Sequence, residues 1–78
     1  MPRVARHGPY RFFFYSNEGD EPPHVHVARE WRTAKIWLRP VALARNNGFN
    51  EHELRRIHAV VLVHQRRFLE VWHAFFAR

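Results

Sequence analysis

The hydrophobic period of the chain changes near residue 49, and this change limits the folds open to it. In residues 24–29 and 33–38, aliphatic side chains alternate with polar or aromatic ones, as they do in strands with one buried face. We therefore predict an α+β fold, with a three- to four-stranded antiparallel sheet followed by one long C-terminal helix packed on one sheet face. The helix is indicated by apolar or large residues at three- and four-residue spacing: Leu54, Ile57, Val61, His64, Phe68, Val71 or Trp72, and Phe75.

Turn-forming residues divide the sheet region, and no break is long enough to suggest a second domain. The sequence predicts, in order, a strand at 3–6, a turn at Gly8-Pro9, a strand at 10–16, a turn at 17–23, and strands at 24–29 and 33–38. Pro40 ends the last of them. We expect one domain over residues 1–78, with the sheet at about 3–38.

A connecting segment at 39–49 leads to the predicted helix. Asn50 and Glu53 have the spacing of a helix N-cap, and Phe49 precedes the cap as a staple residue does. The helix is expected to span about residues 51–76, close to 39 Å at 1.5 Å per residue, whereas a globule of this size is roughly 30 Å across. The helix end is therefore expected to overhang the domain.

Three aromatic residues crowd the end of this helix: Trp72, Phe75 and Phe76. One interpretation is a partner interface, for a homodimer or for another protein. The other is that all three cover the domain's own sheet. The sequence leaves both open.

The chain is strongly basic. Thirteen Lys and Arg against seven Asp and Glu give a net charge of +6, and every one of the thirteen except Lys35 is Arg. Because guanidinium groups bind phosphate and carboxylate through paired hydrogen bonds, this favours an anionic partner, either nucleic acid or an acidic protein. An Arg-favouring codon usage explains the composition equally well.

Several classes of function are excluded. The chain has no Cys, which rules out disulfides, thiolate zinc sites and a nucleophilic thiol. It has no Gly-rich phosphate loop, and no Ser-His-Asp arrangement can be argued. No apolar run approaches the ~20 residues of a membrane span, so we expect no membrane association and a cytoplasmic protein.

Alternation places a basic and aromatic group on one sheet face. Val25 and Val27 are the expected core residues of their strand, which sends His24 and His26 to the opposite, exposed face. For residues 10–16 either set of aromatics fits the core, and we choose Phe12 and Phe14 as the pair facing the helix. The opposite face then holds Arg11, Phe13, Tyr15, His24, His26, Lys35 and Trp37.

Cations interleaved with aromatic rings suit unpaired nucleic-acid bases, because the cations neutralise phosphate while the rings stack. We predict a nucleic-acid or ligand-binding surface at Arg11, Tyr15, His24, His26, Lys35 and Trp37, which Arg6 and Arg29 would extend. The alternative is that the aromatics merely cover a second small core.

The His24-Val25-His26 segment also has the spacing of a metal-binding pair, since two imidazoles on one strand face reach a single divalent ion. A third ligand would come from Glu18, Asp20 or Glu21, or from a helix histidine. The same pair could instead serve as catalytic acid and base on a phosphodiester without a metal. There Arg11 or Lys35 would stabilise the developing charge, with Tyr15 as an auxiliary donor.

Two blocks of the sequence, Phe13-Phe14-Tyr15-Ser16-Asn17-Glu18 and Pro22-Pro23-His24-Val25-His26-Val27, resemble the bacterial domain of unknown function 4160 family. The resemblance extends over essentially the whole chain and includes the segments at 34–38 and 72–76. It carries no agreed catalytic residues. The chain departs from relatives at 29–32, where Trp31 lies in the turn after the histidine strand.

The resemblance implies a protein partner, because family members are often encoded beside a small protein of the domain of unknown function 2442 family, in an arrangement like a toxin–antitoxin pair. Three functions follow as hypotheses. The first is a nucleic-acid-binding module that also binds this partner. The second is a phosphodiesterase or ribonuclease using His24 and His26, with or without a metal. The third is a structural dimer or antitoxin-like chaperone that binds through the helix end.

Overall fold

The computed structural model describes residues 3–77 and has one antiparallel sheet and one helix. Its strands follow one another in chain order across the sheet, each paired with its sequence neighbours. The elements are β1 (Arg3–His7), β2 (Tyr10–Phe13), β3 (His24–Arg29), β4 (Arg32–Leu38), β5 (Val41–Asn47) and α1 (Glu51–Phe75). The predicted α+β class and the single C-terminal helix are confirmed. Among the described residues, no helix combines the length and apolarity that a bilayer crossing requires.

The sheet has one strand more than predicted. Residues 41–47, expected to be part of a connecting segment, form β5 and pair with β4 from Leu38↔Val41 to Thr33↔Asn47. A turn at the cis Arg39-Pro40 peptide reverses the chain, so Pro40 ends β4 as predicted without ending the sheet. Gly48 follows β5 with φ of 104°, a backbone conformation that Gly adopts without strain.

The core lies between α1 and one sheet face, as alternation predicts. Val25 and Val27 are fully buried there. Phe12 packs on Phe68 of the helix with ring centroids 5.4 Å apart, and Phe14 packs edge-on against Trp72 at 5.1 Å. The choice of Phe12 and Phe14 as the inward pair is therefore confirmed.

The start of α1 is held by the predicted cap and by ionic contacts. Asn50 Oδ1 accepts a hydrogen bond from the Glu53 amide at 2.8 Å. The Glu53 carboxylate accepts from Tyr10 Oη at 3.1 Å and from Arg29 Nη1 at 2.8 Å. Burial acts to raise the pKa of Glu53, but these hydrogen bonds and the nearby Arg29 and Arg32 charges outweigh it and lower the pKa. Glu53 thus links the helix start to β2 and β3.

The end of α1 stays on the domain. Trp72 is only 4% exposed, and its ring lies 4.2 Å from that of Phe76, which is half-buried. The longest dimension of the molecule is 37 Å, about the length of a 25-residue helix. Of the three aromatic residues predicted as an interface, Phe75 remains exposed, at 45%.

Candidate functional site

The sheet face opposite α1 carries rows of side chains that run across all five strands, and we call it the helix-free face. Residues paired across neighbouring strands share a face, so the strand register defines its members. The first row is Arg3, Phe13, His26, Lys35 and Arg45; the second is Arg6, Arg11, Ala28, Thr33 and Asn47. With neighbouring strands about 4.8 Å apart, each row extends for roughly 19 Å.

Aromatic side chains sit among the cations of this face, as the sequence predicts. The Phe13 ring stacks on His26 with centroids 5.6 Å apart, and Tyr15 meets His26 edge-on at 4.5 Å. Phe13 is buried by these contacts, whereas Tyr15 is 41% exposed. Trp37 is half-buried beside His24, with ring centroids 5.7 Å apart. Tyr15 and Trp37 are therefore the predicted aromatics with ring surface left to offer a ligand.

The two strand histidines are buried, and the expectation that they would be exposed is wrong. His24 is 0% exposed and His26 is 6% exposed. His24 lies between two tryptophans, with its ring centroid 4.9 Å from that of Trp72 and 5.7 Å from that of Trp37. Alternation placed both histidines opposite the main core, but it carries no information about what covers that second face.

Much of the cover is the loop at 14–23, which folds back over the histidines. Two successive turns shape it: the Glu18 amide donates to the Tyr15 carbonyl at 3.3 Å, and the Glu21 amide donates to the Glu18 carbonyl at 3.2 Å. As a result Glu18 Oε1 lies 2.8 Å from His24 Nε2 and 2.6 Å from His26 Nε2. One carboxylate oxygen thus contacts both rings.

The charges of this cluster depend on its burial and its contacts. Burial acts to raise the pKa of Glu18, but the hydrogen bonds to His24 and His26 outweigh it and leave the pKa below its usual value. Burial lowers the pKa of His26, and the Glu18 carboxylate only partly opposes this. An ionised Glu18 beside a neutral His26 follows at neutral pH.

A second carboxylate of the same loop binds the predicted lysine. Glu21 forms an ion pair with Lys35, whose Nζ also lies 4.9 Å from the centroid of the Trp37 ring. The positive charge of Lys35 is therefore already partnered. Arg11, in contrast, is exposed. Arg29 does not extend the helix-free face as predicted, because it shares the core side of β3 with Val25 and Val27 and pairs with Glu53.

Sequence reasoning missed Arg3 and Arg45. Both are exposed, as are Arg6 and Arg11, and within residues 3–77 none of the four has a carboxylate within ion-pairing distance. Arg45 lies on β5, so no face could be assigned to it before that strand was known. A cavity of about 90 Å³ opens beside it, lined by Phe13, Tyr15, His26, Thr33, Ala34, Lys35, Arg45 and Asn47.

Comparison with known proteins identifies the family. Residues 10–73 match the family described as a domain of unknown function, DUF4160. No curated protein and no solved structure matches the chain. The match covers β2 to α1 and includes the loop at 14–23, the histidine strand and Trp72. The chain therefore belongs to the DUF4160 family.

Proposed function

We propose that the protein binds single-stranded nucleic acid through its helix-free face. The observation that carries this proposal is a set of four exposed arginines that have no carboxylate partner among residues 3–77: Arg3, Arg6, Arg11 and Arg45. Like-charged side chains on one sheet face repel one another, and a polyanion relieves that repulsion. The face is therefore electrostatically complementary to a phosphate backbone.

The cavity beside Arg45 fits one phosphate group in this scheme. Four of its lining residues carry side-chain hydrogen-bond donor groups: Tyr15, Lys35, Arg45 and Asn47. All four groups can donate hydrogen bonds to phosphate oxygens. Its volume of about 90 Å³ equals that of roughly three water molecules.

Single strands suit this surface better than duplexes. The face is an open sheet with partly exposed aromatic rings at Tyr15 and Trp37, and unpaired bases can stack on such rings. A row about 19 Å long accommodates several nucleotides at once. An acidic protein would satisfy the cations, but it does not require stacking surfaces, whereas every unpaired base presents a ring face.

The burial of His24 argues against its direct contact with a substrate, so the phosphodiesterase hypothesis receives less support than binding. Of the two strand histidines, only His26 lines the cavity beside Arg45. The predicted DUF2442-family partner stays a proposal, and Phe75 is the exposed aromatic residue available to it at the helix end.

Titration of fluorescent single-stranded RNA and DNA into the full chain at 50 and 200 mM salt tests the proposal. Four phosphate contacts on a single strand predict a slope of about −3 in log K against log salt, with weaker binding to a duplex of the same length. The same samples on a denaturing gel report cleavage. Binding that ignores salt would contradict the proposal, and cleavage would favour the phosphodiesterase.

A further inference from the structure

The cluster of Glu18, His24 and His26 has the composition and geometry of a metal site. One ring nitrogen of each histidine and a Glu18 carboxylate oxygen lie within 4.8 Å of one another. The strand supplies the two imidazoles at a two-residue spacing, and the folded-back loop supplies the carboxylate. We propose that these three side chains bind one divalent transition-metal ion, with zinc as the ion that best suits the ligand set.

The hydrogen bond at the other nitrogen of His24 supports the proposal. His24 Nδ1 lies 3.0 Å from the Pro22 carbonyl oxygen, which can only accept, so Nδ1 carries a hydrogen. Nε2 is then the ring nitrogen that faces Glu18 Oε1, 2.8 Å away. A cation bound at this place would be coordinated by both atoms.

The Pro22 contact is itself typical of metal-binding histidines. Such a ring commonly donates its second N–H to a backbone carbonyl, which fixes the tautomer and the ring orientation. His24 meets this condition while fully buried. Its Nε2 atom is therefore already oriented toward the position of the ion.

The two contacts of Glu18 with the histidines are shorter than zinc coordination allows, and a small displacement of Glu18 lengthens both. Zinc bonds of about 2.0–2.2 Å at tetrahedral angles separate two ligand atoms by roughly 3.3 Å. The observed nitrogen-to-oxygen distances are 2.6 and 2.8 Å. Glu18 belongs to a loop and keeps part of its side chain in solvent, so it can retreat by the roughly 0.5–0.7 Å that zinc coordination requires.

The ligand set also selects among ions. Two imidazoles and one carboxylate suit zinc, whereas magnesium prefers oxygen ligands and retains its water. Asp20 is exposed, and Glu21 is bound to Lys35. Three protein ligands leave a fourth zinc position for water or another small ligand.

Calorimetric titration of zinc into the metal-free full chain tests the site. The wild type is expected to bind one equivalent tightly, and Glu18→Gln is expected to bind at least 100-fold more weakly, since even losing a residue that supports a ligand costs about 10- to 100-fold. Zinc at a hundredfold excess over Kd should raise the wild-type Tm by roughly 10 °C or more. Magnesium should not replace it.

Controls separate this site from adventitious binding by the other histidines. His58→Gln and His73→Gln change exposed helix histidines and should leave zinc affinity unchanged. Glu18→Gln preserves side-chain size at a partly exposed position, so the test does not depend on the folding of variants at the buried histidines. Equal zinc affinity in Glu18→Gln and wild type, or loss of binding in the helix variants instead, would overturn the proposal.

Discussion

Changing Arg3, Arg11 and Arg45 together to Gln is expected to weaken single-stranded nucleic-acid binding about 100-fold at 0.1 M salt. Each phosphate contact on a single strand contributes about 0.7 to the slope of log K against log salt, so three lost contacts remove about two units. The slope should fall from about −3 to about −1. Fluorescence anisotropy over a series of salt concentrations measures both quantities.

A matched control distinguishes the helix-free face from net charge. Changing Arg55, Arg56 and Arg67, three exposed helix arginines, together to Gln removes the same three positive charges from the net charge of +6. If binding depends on the cations of the helix-free face, the helix variant keeps most of its affinity for single-stranded nucleic acid. Equal losses in the two triple variants would mean that binding is governed by total charge and not by this face.

Trp72→Ala should lower the free energy of unfolding by about 3–5 kcal/mol, the cost typical of removing a large buried aromatic side chain. Trp72 is 4% exposed and contacts both Phe14 and His24. Because small domains have total stabilities of about 5–15 kcal/mol, the variant should be largely unfolded at modest urea concentrations. Urea unfolding followed by far-UV circular dichroism measures the change.

Phe75→Ala is the companion variant, because Phe75 is half exposed and lies three residues farther along the same helix. Its effect on stability should be much smaller, about 1 kcal/mol or less. A stable, monomeric Trp72→Ala protein that no longer binds a partner would instead assign Trp72 to an interface.

The sequence determined which side chains share a face more reliably than it determined the number of strands. Alternation at 24–29 and 33–38 paired the histidines with Lys35 and Trp37, and the register bears this out as His24↔Trp37 and His26↔Lys35. Side-chain direction in a strand follows from local backbone geometry alone. The pattern therefore survives in any fold that keeps these strands.

β5 was missed because its local signals conflict. Pro40 precedes it, and Asn46 and Asn47 at its C-terminal end are residues typical of turns. Its pairing also shifts between Lys35 and Ile36 of β4, so that alternation within β5 is interrupted where Arg45 pairs with Lys35. Pairing with β4 stabilises a segment whose own residues predict a turn.

Local sequence patterns also could not predict the burial of His24 and His26. Glu18 was recognised as a candidate third ligand, but its contact with both rings depends on the path of the loop at 14–23. That path is set by two turns and by the Leu38 amide, which donates to the Pro23 carbonyl at 3.0 Å. This last hydrogen bond joins the end of the loop to the end of β4, and no periodicity in the sequence encodes it.

Amide chemical shifts of the isotope-labelled full chain, followed during titration with a single-stranded oligonucleotide, test the central claim most directly. We predict that the largest changes occur at the exposed or half-exposed members of the two rows on the helix-free face: Arg3, Arg6, Arg11, Thr33, Lys35, Arg45 and Asn47. Changes confined to the outer side of α1, or no changes at all, would contradict it.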